Sequence, residues 1–127
     1  YMELKELTTS ETLVMKCIWE SDHEMALSEI VEKTNEKFGK EWKSQTVSTF
    51  LAKLCLKNYI KMKRSGRTIT YEVLVREEEY KSEQAREFVD FWNGGSLKQF
   101  ITAFYKEKRA SKEDLAELRK MIDDMDE

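Results

Sequence analysis

The stretch from Trp42 to Leu54, "WKSQTVSTFLAKL", decides the fold because it predicts a helix with two contrasting faces. One face carries an apolar stripe at helical spacing, formed by Val47, Phe50, Leu51 and Leu54. The opposite face carries only short or uncharged side chains, those of Gln45, Ser48, Thr49 and Ala52. In a chain that is 37% charged, an outward face without acidic residues indicates a surface that closely approaches another molecule.

The distribution of charge supports this interpretation. The net charge of the chain is −3, yet residues 40–67 hold eight basic side chains and one acidic one. The basic residues of this window are Lys40, Lys43, Lys53, Lys57, Lys61, Lys63, Arg64 and Arg67. A charge run is often only a solvated face, but this one lies between two acidic flanks and includes the unusual helix. The cationic window therefore favours an anionic partner.

Three helices are predicted in the first half of the chain, at roughly residues 9–21, 27–38 and 45–57. The first helix opens with Thr8 three residues before Glu11, which is the spacing of a capping box. Gly39 predicts the end of the second helix. We expect Ser44 to cap the third helix and Asn58 to adopt the left-handed conformation after it.

A β-hairpin is predicted to follow, in "YIKMKRSGRTITYEVLV" from residue 59 to 75. Ser65 and Gly66 mark its turn, and the tip of the hairpin is basic. Apolar side chains alternate in its second strand at Ile69, Tyr71, Val73 and Val75. Three helices followed by a hairpin is the element order of a winged helix-turn-helix, so residues 2–75 are predicted to form a winged-helix DNA-binding domain.

Residues 76–127 have a different character, with three short amphipathic helices and no further strand. The fold class is therefore mostly α, with a winged helix followed by a small three-helix domain. A segment of this length seldom forms a stable core alone. We therefore expect this domain to pair with a second copy of the chain. The apolar residues predicted to form the dimer contact are Phe88, Phe91, Trp92, Leu97, Phe100, Ile101, Phe104, Leu115, Leu118 and Ile122. The alternative is a three-helix cap that packs on the first domain.

The chemistry of the acid-free helix face is that of DNA recognition. Phosphates attract Lys and Arg and repel acids, while base edges are recognised by hydrogen-bonding side chains such as Gln, Ser and Thr. We expect Gln45, Ser48 and Thr49 to contact bases. The complete predicted DNA surface comprises Lys43, Ser44, Gln45, Thr46, Ser48, Thr49, Lys53, Lys63, Arg64 and Arg67. A winged-helix module that binds a protein instead of DNA remains the alternative.

Other functional classes are disfavoured. The chain has one histidine, His23, in a polar turn, and two cysteines, Cys17 and Cys55, that we expect to be buried free thiols. We expect no catalytic residue, metal site or cofactor, because nucleophile–base pairs, clustered ligands and glycine-rich phosphate loops are missing from the sequence. No apolar run has the length of a membrane span and no signal peptide is evident, so we expect a cytoplasmic protein without membrane insertion.

The sequence resembles the penicillinase and methicillin-resistance repressors, the BlaI/MecI family. The resemblance rests on "LTTSETLVMKCIW", "WKSQTVSTFLAKLCLKNYI", "YEVLV", "GG", "FYKE" and "SKEDLAELRKMI", in that order along nearly the whole chain. It implies a cytoplasmic homodimer that binds a palindromic double-stranded DNA operator and blocks transcription, with β-lactam resistance genes as the expected target and with release by proteolysis or another signal. It also implies a membrane sensor-protease that releases the operator by cleavage within the dimerisation domain.

The chain departs from the pattern of this family at several positions. Gln45 and Ser48 stand where more basic or longer side chains are frequent, and Leu56 replaces a usual basic residue. The family is cleaved at an Asn-Phe bond. Phe104 matches that Phe, while Ala103 stands in place of the Asn, so Ala103 and Phe104 mark the possible cleavage site. The copper-responsive branch uses a C-terminal cysteine cluster, and no cysteine follows Cys55.

Overall fold

A computed structural model describes residues 3–106 and 111–125, and within these ranges the chain forms six helices and one two-stranded sheet. The elements are α1 (Thr9–Trp19), α2 (Leu27–Phe38), α3 (Ser44–Leu56), β1 (Ile60–Ser65), β2 (Thr68–Val73), α4 (Glu77–Asn93), α5 (Leu97–Lys106) and α6 (Lys112–Met125). No helix in the described ranges is both long and apolar enough to cross a bilayer. The chain divides into two compact units, the first ending at Glu83 and the second beginning at Gln84.

Helix ends follow the local chemistry of the sequence at most positions. The capping box of α1 is present, since the Thr8 hydroxyl accepts from the Glu11 N–H and the Glu11 carboxylate accepts from the Thr8 N–H. Gly39 and Asn58 adopt left-handed backbone conformations, with φ of 62° and 63°. The prediction for Ser44 was wrong. Lys43 occupies the N-cap position, and Ser44 is the first residue inside α3.

The first unit has a continuous hydrophobic core between α1, α2, α3 and the hairpin. Its buried residues include Val14, Met15, Ile18, Met25, Ile30, Val47, Leu51, Leu54, Tyr59, Ile60, Tyr71 and Val75. The apolar stripe of α3 faces this core, as the helical spacing predicted. Cys17 is buried as expected, whereas Cys55 is only half-buried, and burial raises the pKa of the Cys55 thiol. Both cysteines are free thiols.

The hairpin is antiparallel, with Ile60 opposite Val73 and Ser65 opposite Thr68. Gly66 and Arg67 form the two-residue turn, one residue later than the Ser65–Gly66 position that was predicted. Gly66 has a φ of 65°, and a glycine with positive φ at the first central position is typical of a type II′ hairpin turn. This turn places the basic tip of the hairpin at the end of a regular ladder.

The loop between α1 and α2 is fastened to the hairpin by backbone contacts. The Tyr71 N–H donates to the Met25 carbonyl at 3.3 Å. Ala26 forms an isolated antiparallel bridge with Thr70. Three helices, this short bridge and the two-stranded wing together make a winged helix-turn-helix.

The second unit contains the later turns of α4 together with α5 and α6. None of its described residues is buried. Large apolar side chains are exposed on all three helices, among them Phe88, Phe91, Trp92, Leu97, Ile101, Phe104, Met121, Ile122 and Met125. The described chain is therefore mostly α, a winged helix followed by a small helical domain. The predicted domain limits, 2–75 and 76–127, stay a prediction.

Candidate nucleic-acid interface

The two faces of α3 differ sharply in exposure. Val47, Leu51 and Leu54 are at most 1% exposed and anchor the helix in the core. Gln45, Thr46 and Thr49 are exposed on the outer side, while Ser48 is half-buried. No acidic residue lies in the first turn or anywhere else in α3. The helix thus presents an uncharged polar surface that other groups can approach closely.

The start of α3 is held by a contact that the sequence did not suggest. The Asn35 side chain donates to the Trp42 carbonyl at 2.9 Å and accepts from the Trp42 N–H at 3.0 Å. The Trp42 ring packs edge-on against Phe50, with ring centroids 5.0 Å apart. Lys40 lies 5.6 Å from the centre of the Trp42 ring. These contacts fix the loop that leads into α3, so its first turn has a defined position.

The N-terminus of α3 is open to an anionic ligand. The N-cap Lys43 makes no side-chain cap hydrogen bond, so the first N–H groups of the helix have no capping acceptor. The helix dipole adds a partial positive charge at the same place. One turn further on, the Thr49 hydroxyl donates to the Gln45 carbonyl at 3.0 Å. This bond leaves the Thr49 methyl group and an oxygen lone pair for contact with a ligand.

The wing carries the second group of predicted residues. Lys63 and Arg64 lie near the end of β1, Arg67 lies in the turn, and all three are exposed. Lys63 Nζ is 3.2 Å from a carboxylate oxygen of Glu24 in the α1–α2 loop. Within the described ranges, Arg64 and Arg67 form no ion pair. The wing therefore has two arginines available at its tip and one lysine already occupied.

Two further basic residues of the 40–67 window form ion pairs within the first unit. Lys57 Nζ lies 2.5 Å from a carboxylate oxygen of Glu11, which is only 1% exposed, and also donates to the Glu6 carbonyl. Burial raises the pKa of Glu11, but hydrogen bonds from Lys57 and the Thr8 N–H outweigh it, and the net pKa is lowered. Lys61 pairs with Glu72 across the hairpin at 3.2 Å. These two lysines serve the fold of the first unit.

Four further cations of the window belong to the predicted surface. Along the described chain, no ion pair joins Lys43, Lys53, Arg64 or Arg67 to an acid. All four are exposed, and they belong to the start and the last turn of α3 and to the wing tip. The structure thus divides the cationic window into residues that stabilise the fold and residues available to a partner.

The predicted dimerisation residues lie on the second unit and are exposed or half-buried in the single chain. Phe91 and Trp92 are the most open of the aromatic residues, at 77% and 67% exposed, and their rings touch edge-on. Phe88 packs against Phe100 with ring centroids 5.8 Å apart. Phe100, Leu115 and Leu118 are half-buried. Their arrangement leaves a large apolar surface that the single chain does not cover.

A groove of about 410 Å³ runs along α5 and α6. Its apolar lining comes from Ile101, Phe104, Tyr105, Leu115, Leu118 and Met121. Asp114 and Glu117 line it as well. The possible cleavage residues Ala103 and Phe104 are both exposed within the helical backbone of α5.

Comparisons with known proteins agree on one family. The sequence model of the family described as "Penicillinase repressor" matches residues 7–124. The penicillinase repressor of Staphylococcus aureus is 28% identical over 120 residues, covering 94% of this chain and 93% of that protein. The methicillin resistance regulatory protein MecI of S. aureus strain N315 is 25% identical over 117 residues, 92% of this chain and 93% of that protein.

Solved structures match the fold of the first half. The Bacillus licheniformis BlaI monomeric form in complex with the blaP half-operator gives a TM-score of 0.51 at 23% identity, covering 61% of this chain and 92% of that one. The DNA-binding domain of the repressor BlaI gives a TM-score of 0.52 at 22% identity, covering 63% and 94%. At these identities the likeness shows the winged-helix fold.

Proposed function

The chain belongs to the penicillinase repressor family, and we propose that it is a transcriptional repressor that binds a palindromic DNA operator as a homodimer. The observation that carries the proposal is the acid-free outer face of α3, flanked by cations that form no ion pair within the described ranges. In this role the chain acts by occupying DNA, and we assign it no catalytic activity. A protein with this role works in the cytoplasm, where the bacterial chromosome lies.

The roles of the ten surface residues follow from their chemistry. We assign Gln45, Ser48 and Thr49 to base edges in the major groove, because amide and hydroxyl groups match the donors and acceptors there. The phosphate contacts come from the start and flank of α3 and from the wing, through Lys43, Ser44, Thr46, Lys53, Lys63, Arg64 and Arg67. The open N-terminus of α3 adds backbone N–H groups that favour a phosphate.

The dimer is supported by the exposed apolar surface of the second unit. Apolar patches of this kind on a small domain are typical of association sites. A two-fold dimer presents two copies of α3 to two operator half-sites, which explains why a palindrome suits this protein. We assign the contact to the exposed and half-buried residues of α4, α5 and α6 predicted above.

Release from DNA is proposed to occur through a membrane sensor-protease that cuts between Ala103 and Phe104. Both residues lie inside α5, so the helix must open locally before the bond fits an extended protease site. This step is tested by incubating the chain with such a protease and determining the masses of the products by mass spectrometry. A matched Ala103→Asn variant restores the family residue. Cleavage of that variant alone would assign another release signal to the native chain.

The experiment that tests the proposed function is footprinting of the upstream region of the gene at two salt concentrations. We expect a protected palindrome whose half-sites are about 10 bp or more apart, and steep weakening as salt rises. Arg67→Glu should weaken binding to every sequence alike, whereas Gln45→Ala should change sequence preference. Absence of protection at low salt would contradict the proposal.

One observation favours a second candidate function, a winged-helix module that binds a protein. Leu56, the last residue of α3, is 83% exposed. A cation at this position would favour phosphate binding, whereas an exposed leucine favours an apolar partner. Such a module would capture a partner without operator DNA, and the complex would persist at high salt because apolar contacts are not screened. Salt-resistant binding combined with a negative footprint would favour this candidate.

A further inference from the structure

We propose that Glu24 sets the affinity of the wing for DNA by holding Lys63 in an ion pair that a phosphate must replace. This inference rests on the proposed DNA-binding function. It assigns a role to an acidic residue that lies outside the cationic window and that contacts no other predicted DNA-binding residue in the described structure. Glu24 acts here as a positioning residue that works through Lys63.

Backbone contacts bring the two residues of this ion pair close together, so the pair does not depend only on the reach of two long side chains. The loop that carries Glu24 is joined to β2 by the Tyr71 N–H to Met25 carbonyl bond and by the bridge between Ala26 and Thr70. Thr70 lies directly opposite Lys63 in the hairpin register. The same contacts that build the sheet therefore bring the carboxylate beside the wing lysine, at 3.2 Å.

The rest of the loop has its own network of contacts. His23 lies between two carboxylates, with ring nitrogens 2.7 Å from Asp22 and 2.6 Å from Glu29. The Ser21 hydroxyl donates to the His23 carbonyl at 2.7 Å. This network stabilises the loop on the N-terminal side of Glu24, so the backbone that carries Glu24 is held by contacts other than the one to Lys63.

The size of the expected effect follows from the exposure of the pair. The Lys63 and Glu24 side chains are 52% and 38% exposed, so solvent screens their attraction. Such pairs change an equilibrium constant by a few-fold. A homodimer carries two wings, and the effects multiply, so removal of both carboxylates should tighten operator binding by roughly tenfold. The loss of a negative charge beside the phosphate backbone acts in the same direction.

The salt dependence provides a second, independent readout. Salt screens the attraction between Lys63 and Glu24, so the cost of separating them falls as the salt concentration rises. In the native chain this falling cost offsets part of the affinity that salt removes. Without Glu24 the offset is lost, so the slope of log affinity against log salt should be steeper, by less than about one ion per wing. A change in folding alone would not alter this slope.

The test compares four proteins on the operator found by footprinting: the native chain, Glu24→Gln, Lys63→Met and the double variant. We expect Glu24→Gln to bind about tenfold more tightly and with a steeper salt slope. In the Lys63→Met background the same substitution should change little, because the lysine it releases is missing. Glu36→Gln is the matched control, since it removes an exposed acid from α2 that has no ion pair within the described ranges.

Three outcomes would overturn the inference. The first is unchanged affinity in Glu24→Gln while the native chain binds its operator, which leaves the proposed function intact. The second is an equal gain in DNA affinity from Glu24→Gln in the Lys63→Met background, or from Glu36→Gln. Either result would mean that Glu24 acts only through general repulsion of DNA and not through Lys63. The third is failure of the native chain to bind DNA, which removes the proposed function and this inference together. Thermal unfolding of each variant checks that the fold is retained.

Discussion

The two compact units of this chain handle their apolar residues in opposite ways. The unit that ends at Glu83 buries Val14, Ile30, Val47 and Leu54 completely. In the unit that begins at Gln84, no described residue is buried, although α5 and α6 have strongly one-sided apolar faces. The first unit satisfies its hydrophobic surface within one chain. The second unit has the same kind of surface but leaves it uncovered.

Size accounts for much of this difference. Burial is inefficient in very small domains, and below about 40 residues an independent fold usually needs disulfides, metals or association. The second unit spans few residues beyond that limit and contains no cysteine. The first unit has about twice the length and adds a hairpin that closes its core. The first unit is stabilised within one chain, whereas we expect a second copy of the chain to stabilise the other unit.

The largest effect expected from this contrast comes from removing a leucine in each unit. Leu54→Ala empties a fully buried site and should cost about 2–5 kcal/mol, at any protein concentration. Leu97, which is 61% exposed, is the matched control. Leu97→Ala should change the unfolding midpoint only through the concentration dependence of the dimer. Urea unfolding at two protein concentrations distinguishes the two variants. A loss of stability in Leu97→Ala that does not depend on protein concentration would contradict the proposed difference between the units.

A slightly smaller effect is expected at the apolar face of α5. Phe104 is 49% exposed in the single chain, so a dimer contact would bury the remaining surface. Phe104→Ala should weaken the dimer by roughly 2–4 kcal/mol and lower operator affinity, because a monomer occupies only one half-site. Sedimentation velocity measures the first effect. Thr102→Ala, on the same exposed helix, is the control, and an undisturbed dimer in Phe104→Ala would remove this residue from the contact.

The ion pair between Lys57 and Glu11 tests whether the first unit is also stabilised internally by charge. Lys57→Met leaves the Glu11 carboxylate buried without its cation, which should cost roughly 2–3 kcal/mol because Lys57 remains partly exposed. The matched control is Lys61→Met. Its partner Glu72 is more exposed than Glu11, so this substitution should cost much less stability. Equal losses in both variants would contradict the special role of the buried pair.

The same pair predicts a dependence of stability on pH. Because the folded-state pKa of Glu11 lies below the ordinary value of 4.5, its contribution is present above that value. The contribution is lost as pH falls through the lower, folded-state pKa. Acid titration of the free energy of unfolding should therefore show a shallower decline in Lys57→Met than in the native chain.

Local signals predicted much of the first unit. The capping box at Thr8, the left-handed Gly39 and Asn58, and the apolar stripe of α3 all depend on residues close in sequence, and all are confirmed. The N-cap at Ser44 was wrong because the cap preference of serine is a weak prior, and the loop held by Asn35 begins α3 one residue earlier. The hairpin turn moved by one residue for a similar reason, since Gly66 favours the first central position.

The candidate surface was predictable only in outline. Composition identified the cationic window, but it could not show which of its basic residues stabilise the fold and which are free to contact a partner. Lys57 and Glu11 are 46 residues apart in sequence, and Lys63 and Glu24 are 39 apart. Such pairs depend on how elements meet in space, and no local pattern encodes them. The structure assigns Lys57 to the core and leaves Lys43, Lys53, Arg64 and Arg67 available.

The smallest predicted effect concerns a buried polar atom of the first unit that lacks a hydrogen-bond partner. Thr34 is fully buried in α2, and its hydroxyl oxygen has no hydrogen-bond partner among the described residues. A buried hydroxyl without a partner costs free energy, and valine has nearly the same shape without the hydroxyl. Thr34→Val should therefore stabilise the first unit by about 1 kcal/mol, seen as a higher urea midpoint with an unchanged slope.

The position of this substitution makes it a sensitive probe of the contrast between the units. A gain confined to the first unit should raise its unfolding midpoint equally at every protein concentration and leave the dimer equilibrium unaltered in sedimentation. Thr12→Val is the matched control, because the Thr12 hydroxyl donates to the Thr8 carbonyl at 2.9 Å and its removal should not stabilise the chain. A loss of stability in Thr34→Val would mean that a water or another group satisfies the hydroxyl, and a tighter or weaker dimer would mean that the two units share their stability.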